Sequence, residues 1–250
     1  MLLAVAAPVA YADTVLYSTG FENPPFTPGP ISGQDGWNVF GPGVSTVENT
    51  FAKTGSQAVF VDGGTASQSG PYHEDDTSGT PFVDLSADIA IFTGSTQTDW
   101  QFAATGPGLL GYLGGIDVLA NNQIEAITAG FPVIGLFPRA TAFNGTAWHH
   151  IDLLFDMATQ TYNISLDGTL LASNLSFCGN NFGPCTGGAI GTYGDGFFNS
   201  FGTGNDSGFM DNYSVSTVNS TVPEPSTIFP LAAMLCGIGV ALRRRALRSL

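Results

Sequence analysis

Twenty carboxylates, three histidines and three cysteines are prominent among the side chains of this 250-residue chain that can hold a metal, move a proton or form a covalent bond. Their spacing argues against several chemistries. Glycoside hydrolysis needs two carboxyls flanking the scissile bond, and no glutamate among Glu22, Glu48, Glu74, Glu125 and Glu224 begins a Glu-x-Asp-x-x-Glu pattern. His149 and His150 are adjacent, with no Ser or Cys in a nucleophile elbow, and read as polar strand-edge residues. His73-Glu74-Asp75-Asp76 has the donors of a metal site, but it sits between Gly70-Pro71 and Gly79 and reads as a solvated loop. Cys178 and Cys185 bracket a short Gly- and Asn-rich segment, and in an oxidising compartment they are expected to form one local disulfide. With no histidine nearby they lack a zinc ligand set.

The distribution of charge says where this chemistry takes place. Four of the six Lys and Arg residues (Arg243, Arg244, Arg245 and Arg248) close the chain, behind an apolar stretch at 228–242. Basic residues placed behind one apolar segment follow the positive-inside rule, so the body is expected outside the cytoplasmic membrane. The apolar stretch is shorter than the about 20 residues of a full span, and Pro230, Gly237 and Gly239 interrupt it. It is preceded by Val222-Pro223-Glu224-Pro225, whose prolines keep the segment extended and accessible. This three-part layout resembles the PEP-CTERM sorting signal of Gram-negative bacteria. The resemblance implies recognition by an exosortase-type processing enzyme, transient membrane anchoring through 228–242, and a final place at the cell surface or outside the cell. It also implies organisms that make exopolysaccharide or biofilm. At the other end, residues 1–12 read as a signal peptide: Leu2 to Val9 is apolar, and Ala10-Tyr11-Ala12 offers a small-x-small cleavage site. The basic n-region is missing.

Between these segments lies a body expected at 13–220. Apart from histidines, its only basic residues are Lys53 and Arg139, against every acidic residue except Glu224. That excludes nucleic-acid binding, which rests on neutralising phosphates, and is compatible with secretion, calcium and neutral sugars. Gly at 33 residues, with abundant Thr, Ser, Asn and Phe, predicts many turns and few helices. Alternating runs predict strands over 15–21, 37–40, 57–62, 82–92, 100–104, 115–119, 123–128, 148–156, 161–166, 169–173 and 209–217. Asp167-Gly168 is a hairpin signal between two of them. Ile151, Leu153 and Phe155 share one face, and no segment keeps a 3.6-residue period. The expected fold is all-β, a two-sheet antiparallel β-sandwich or jelly roll, with an apolar helix only in the tail.

The run Trp148 to Asp156, followed by Tyr162 to Ala172, is similar to consecutive strands of concanavalin A-like (laminin G-like) jelly rolls. Gly20-Phe21-Glu22, Gly33 to Trp37 and Met210 to Val215 fit the same pattern. The resemblance implies a structural calcium held by Glu22 after the first strand, by the Gly55-Ser56 turn and by Asp211 on the last strand. First and last strands pair in such folds, so Glu22 and Asp211 would meet. Two close carboxylates repel unless neutralised, and hard oxygen ligands select Ca²⁺. The 73–76 cluster is at most a weaker second calcium site. The laminarinase-type Glu-x-Asp-x-x-Glu strand of this fold is absent. Sugar binding needs aromatic platforms, and Trp100 and Tyr112 are the expected exposed ones, with Trp148 expected in the core. The expectation is therefore an exported, non-catalytic surface or matrix protein. Its alternative is a calcium-stabilised module binding extracellular polysaccharide, and a polysaccharide hydrolase or lyase rests on fold analogy alone.

Overall fold

The computed structural model describes residues 13–62, 68–75, 77, 80–139, 148–179 and 192–218. The leader at 1–12, the segment 221–250 with its sorting motif, and Cys185 lie outside them. Among the described residues there are sixteen strands and no helix.

One sheet contains β1 (Thr14–Thr19), β2 (Gly29–Pro30), β4 (Ser45–Glu48), β5 (Ala58–Asp62), β7 (Phe82–Phe92), β12 (Trp148–Asp156), β13 (Thr161–Leu166), β14 (Thr169–Ser176) and β16 (Ser207–Thr217). Its order is β14-β13-β12-β7-β16-β5-β4-β2, with β1 also on β16. The other sheet contains β3 (Trp37–Phe40), β6 (Gly70–Glu74), β8 (Asp99–Gly106), β9 (Leu110–Val118), β10 (Gln123–Ala126), β11 (Val133–Leu136) and β15 (Asp195–Phe201). It runs β11-β10-β9-β8-β15-β6-β3. All pairings are antiparallel.

Period-two alternation builds the core. In β12, Ile151, Leu153 and Phe155 are fully buried between the sheets, in one hydrophobic core with Trp37, Trp100, Phe102 and Phe198 from the second sheet. Each such side chain contributes roughly 1.5–3 kcal/mol when removed from water. Gly196 and Gly114 keep this layer thin: a Cβ at the first would strike the Tyr213 hydroxyl, and at the second the Tyr162 ring. The β13–β14 hairpin turns at Asp167-Gly168 with φ of 51° and 73°, the left-handed pair that this dipeptide favours.

The C-terminal half of β7 is buried on both faces because an aromatic layer covers the outside of the nine-stranded sheet. There Phe51 stacks on Trp148, with ring centroids 4.8 Å apart and 9° between planes, and meets Phe92 and Phe209 edge-on. Below the end of β16, the buried Arg139 donates from Nη1 to Asp206 Oδ2 at 2.8 Å. Its Nη2 donates to the carbonyls of Thr98 and Val118 at 2.8 and 2.7 Å. Asp206 also accepts from the Gly94 and Thr98 amides. One ion pair thus fastens the β7–β8 loop to both sheets.

Candidate functional site

The first and last strands pair as expected, from Thr14↔Thr217 to Thr19↔Tyr213. β16 changes neighbours midway, pairing β5 up to Met210 and β1 from Tyr213 onward, with a bulge against β7 between Asp211 and Ser214. Asn212 takes a left-handed φ of 48° there. The bulge turns Asp211 toward the loop before β5, where Oδ2 accepts from the Lys53 and Thr54 amides at 2.9 and 3.0 Å. Oδ1 accepts from the Asn212 amide at 2.7 Å. On the other side of that loop, Glu22 Oε1 accepts from the Ser56 and Gln57 amides at 2.7 and 2.9 Å, and Oε2 from the Ser56 hydroxyl at 2.7 Å. Glu22, Gly55, Ser56 and Asp211 therefore belong to one clasp, with the loop between two carboxylates. Gly55 has φ of 64°, and a Cβ there would strike the Glu22 carboxylate.

The electrostatics of the two carboxylates differ. Burial raises the Glu22 pKa, and the Ser56 and Gln57 hydrogen bonds outweigh it, leaving the group below its ordinary value. Asp211 is fully buried. Burial, with a smaller contribution from Asp88, holds its carboxyl above the ordinary value despite the amide donors. The donor set fits a hard cation in one respect. Asp211 Oδ1 and Asn212 Oδ1 lie 3.6 and 3.5 Å from the point a side chain at Gly20 would occupy, with Glu22 Cγ at 4.0 Å. Asn212 Oδ1 also accepts from the Thr54 hydroxyl at 2.7 Å, so two hard oxygens converge beside a residue without a side chain.

The outer face of the seven-stranded sheet, called the open face below although Asp117, Phe197 and Asn199 on it are buried, carries a second constellation. Asp117 on β9, Gln101 on β8 and Asn199 on β15 stand in register across three strands. Asp117 Oδ2 accepts from Gln101 Nε2 at 3.2 Å. Gln101 Oε1 in turn accepts from Gln68 Nε2 at 2.9 Å and the Tyr112 hydroxyl at 3.2 Å. Gln68 Nε2 also donates to the Tyr112 hydroxyl at 2.8 Å. Asp117 Oδ1 and Asn199 Oδ1 are buried without a hydrogen-bond partner. Burial, with the nearby Asp99 and Glu125 charges, pushes the Asp117 carboxyl up to about 7. Aromatic residues flank this polar row. Phe40 meets Phe197 edge-on at 5.8 Å, Tyr112 lies 5.8 Å from the same ring, and Phe201 is 49% exposed at the strand end. Two clefts meet at Gln68: one of ≈ 270 Å³ toward Tyr112, Phe131 and Phe201, and one of ≈ 220 Å³ toward Phe40 and Phe197.

Several expectations are corrected. Trp100 was expected at the surface; it is fully buried, stacked on Phe198 at 5.2 Å, and faces the core. Its position in β8 is inward, and the outward position goes to its neighbour Gln101. Tyr112 is on the open face but only 8% exposed, with its hydroxyl in the amide network. His73 and Glu74 belong to strand β6 instead of a loop. The His73 ring turns inward, stacked on Tyr17 at 3.8 Å, with Nδ1 3.0 Å from Asp75 Oδ1, and Asp76 lies outside the described residues. Among the described residues no three His, Cys, Asp or Glu side chains are grouped closely enough to share a metal. His149 Nδ1 lies 2.8 Å from Asp167 and His150 Nδ1 3.2 Å from Asp88, with Asp152 and Asp84 also near His150. Cys178 is buried and disulfide-bonded, while Cys185, its expected partner, is outside the described residues.

Solved structures share this fold at low sequence identity. The cellulose induced protein Cip1 superposes with a TM-score of 0.53 at 16% identity, covering 83% of this chain and 100% of its own. The carbohydrate recognition domain of Emp46p gives 0.52 at 10%, covering 80% and 94%. A sialidase gives 0.53 at 9% over 74% of this chain, which spans 17% of the sialidase. The architecture is thus a jelly roll, an all-β antiparallel sandwich. No family model and no curated protein matches the sequence.

Proposed function

We propose that the protein binds glycan, without catalysis, on the open face of its seven-stranded sheet. The observation that carries this reading is the row Asp117–Gln101–Asn199 with Gln68, flanked by Phe40, Phe197, Tyr112 and Phe201. Sugars need hydroxyl partners that both donate and accept, and flat apolar surface for their C–H faces. Gln68 and Gln101 supply the first, and exposed Phe201 with half-buried Phe40 the second, while Phe197 and Tyr112 are buried behind them. Fold neighbours that carry carbohydrate recognition domains are consistent with this reading. A glycan array tests it: retained neutral polysaccharide, with affinity reduced by Phe201→Ala and Gln101→Ala, is expected. An array with no retained glycan, or retention indifferent to both substitutions, refutes it.

Calcium belongs to the same proposal, as a structural ion beside Gly20. Glu22, Asp211 and Asn212 would supply side-chain oxygens, and the ion would neutralise the two carboxylates of the clasp. Chelation with EDTA is expected to lower the melting temperature, and an unchanged melting temperature removes the ion. Location rests on the tail. Val222-Pro223-Glu224-Pro225 and Arg243-Arg244-Arg245 support export, processing by an exosortase-type enzyme, and placement of the binding face outside the cell.

A further inference from the structure

Beyond the aromatic residues of the open face lies an acidic cavity of ≈ 400 Å³, lined by Glu74, Asp75 and Asp195 together with Pro107, Gly108 and Tyr193. Asp195 is fully buried, yet Oδ1 has no hydrogen-bond partner. Its Oδ2 is held by the Leu109 amide at 2.7 Å and the Thr105 hydroxyl at 3.1 Å, which fixes the carboxylate in place. Asp75 faces His73 at 3.0 Å, and Glu74 is exposed. Lys53 and Arg139, the only Lys and Arg among the described residues, line none of this cavity. A buried carboxylate oxygen without a donor costs free energy unless a ligand supplies one. The unpartnered oxygen can accept from a hydrogen-bond donor, and the three carboxylates in the lining favour a cationic one. Among the described residues these carboxylates do not group tightly enough to share one metal ion, and they surround a larger space. That size and spread suit an ammonium carried on a ligand.

The cavity continues the glycan face. Asp195 and Glu74 pair directly across β15 and β6, as do Phe197 and Tyr72 two residues along the same strands. Side chains two apart on one face are separated by roughly 6.5–7 Å, about one sugar unit beyond the rings. The chain as a whole carries a net charge of −14, which disfavours anionic polysaccharides.

We infer that the Glu74–Asp75–Asp195 cavity receives a protonated amino group of the bound glycan, so that the preferred ligand is an amino sugar polymer. This inference rests on the glycan-binding reading of the open face. The test is calorimetric titration of the full-length chain, near neutral pH and at low salt, with three oligomers of equal length. These are a β-linked glucosamine oligomer, its N-acetylated form and the neutral glucose oligomer. The glucosamine oligomer is expected to bind about tenfold more tightly than the others, as a charge-assisted hydrogen bond replaces a neutral one. Asp195→Asn keeps an oxygen for Leu109 and Thr105, and Glu74→Gln alters an exposed side chain, so both variants are expected to fold. Each should reduce the preference while leaving affinity for the glucose oligomer unchanged. Equal affinities for the three oligomers overturn the inference and leave the glycan reading intact. No binding by any of them removes both. Calcium alone shifting the Gly194 and Gly196 amide signals, with loss of that shift in Asp195→Asn, makes the cavity a metal site and overturns the inference.

Discussion

Replacing Asp117 by Asn isolates the electrostatics of the open face. Asp117 is 8% exposed, and burial is the largest cause of its rise from 3.8 to about 7. The folded state thus holds the proton more tightly than the unfolded chain. The sign follows: the stabilisation is complete below about pH 4 and is lost as pH rises through about 7. At about 1.36 kcal/mol per pH unit, the full loss is about 4 kcal/mol. Asn cannot ionise, and its oxygen can still accept from Gln101 Nε2, so the variant escapes this loss. Its amide donors take the place of the unpartnered Oδ1, at a cost of about 1–3 kcal/mol at every pH. The constant offset cancels when the variant is compared with the parent across pH. Urea unfolding of both proteins should show the variant gaining about 2–4 kcal/mol on the parent between about pH 4 and about pH 8. A stability difference that does not change with pH would refute the reasoning, because Asp117 would then titrate as it does in the unfolded chain.

Three further outcomes are expected. Gly55→Ala places a Cβ against the Glu22 carboxylate at a φ of 64° and should destabilise the fold by roughly 1–3 kcal/mol in urea unfolding; a neutral effect would mean the clasp loop moves freely. Arg139→Met leaves Asp206 buried without its cation and should cost about 3–5 kcal/mol, seen as a lower melting temperature, while an unchanged melting temperature would show the pair to be energetically idle. The Asp88 hydrogen bond raises the His150 pKa above 6.5, so the pair's contribution is complete below about pH 6.5 and fades as pH rises through the higher folded value. His150→Gln should therefore lower the melting temperature in mildly acidic buffer and leave it unchanged in alkaline buffer, and an equal effect in both would show that charge plays no part.

Local pattern made much of the sandwich legible. Strands 82–92, 148–156 and 161–166 end where their alternation ends, and Asp167-Gly168 turns between strands as its composition requires. The meeting of Glu22 and Asp211 on one loop followed from pairing the first strand with the last. The open face was not legible, and β15 shows why. Its sequence places Phe197 and Phe198 side by side, one for the outer face and one for the core, so both are buried and no alternation shows. Without β15 there was no way to set Asn199 beside Gln101, or Asp195 beside Glu74. Trp100 failed for a related reason. Its polar neighbours Asp99 and Gln101 suggested exposure, but in a strand they mark the opposite face.

The account stands most directly on which face the ligand touches. Amide chemical-shift mapping of the isotopically labelled protein with a bound oligosaccharide reads this residue by residue. The account predicts shifts confined to Gln68, Gln101, Tyr112, Phe197 and Phe201 and their neighbours on β8, β9 and β15. Shifts confined to the nine-stranded sheet around Phe51 and Trp148, with β8 and β15 silent, would contradict it.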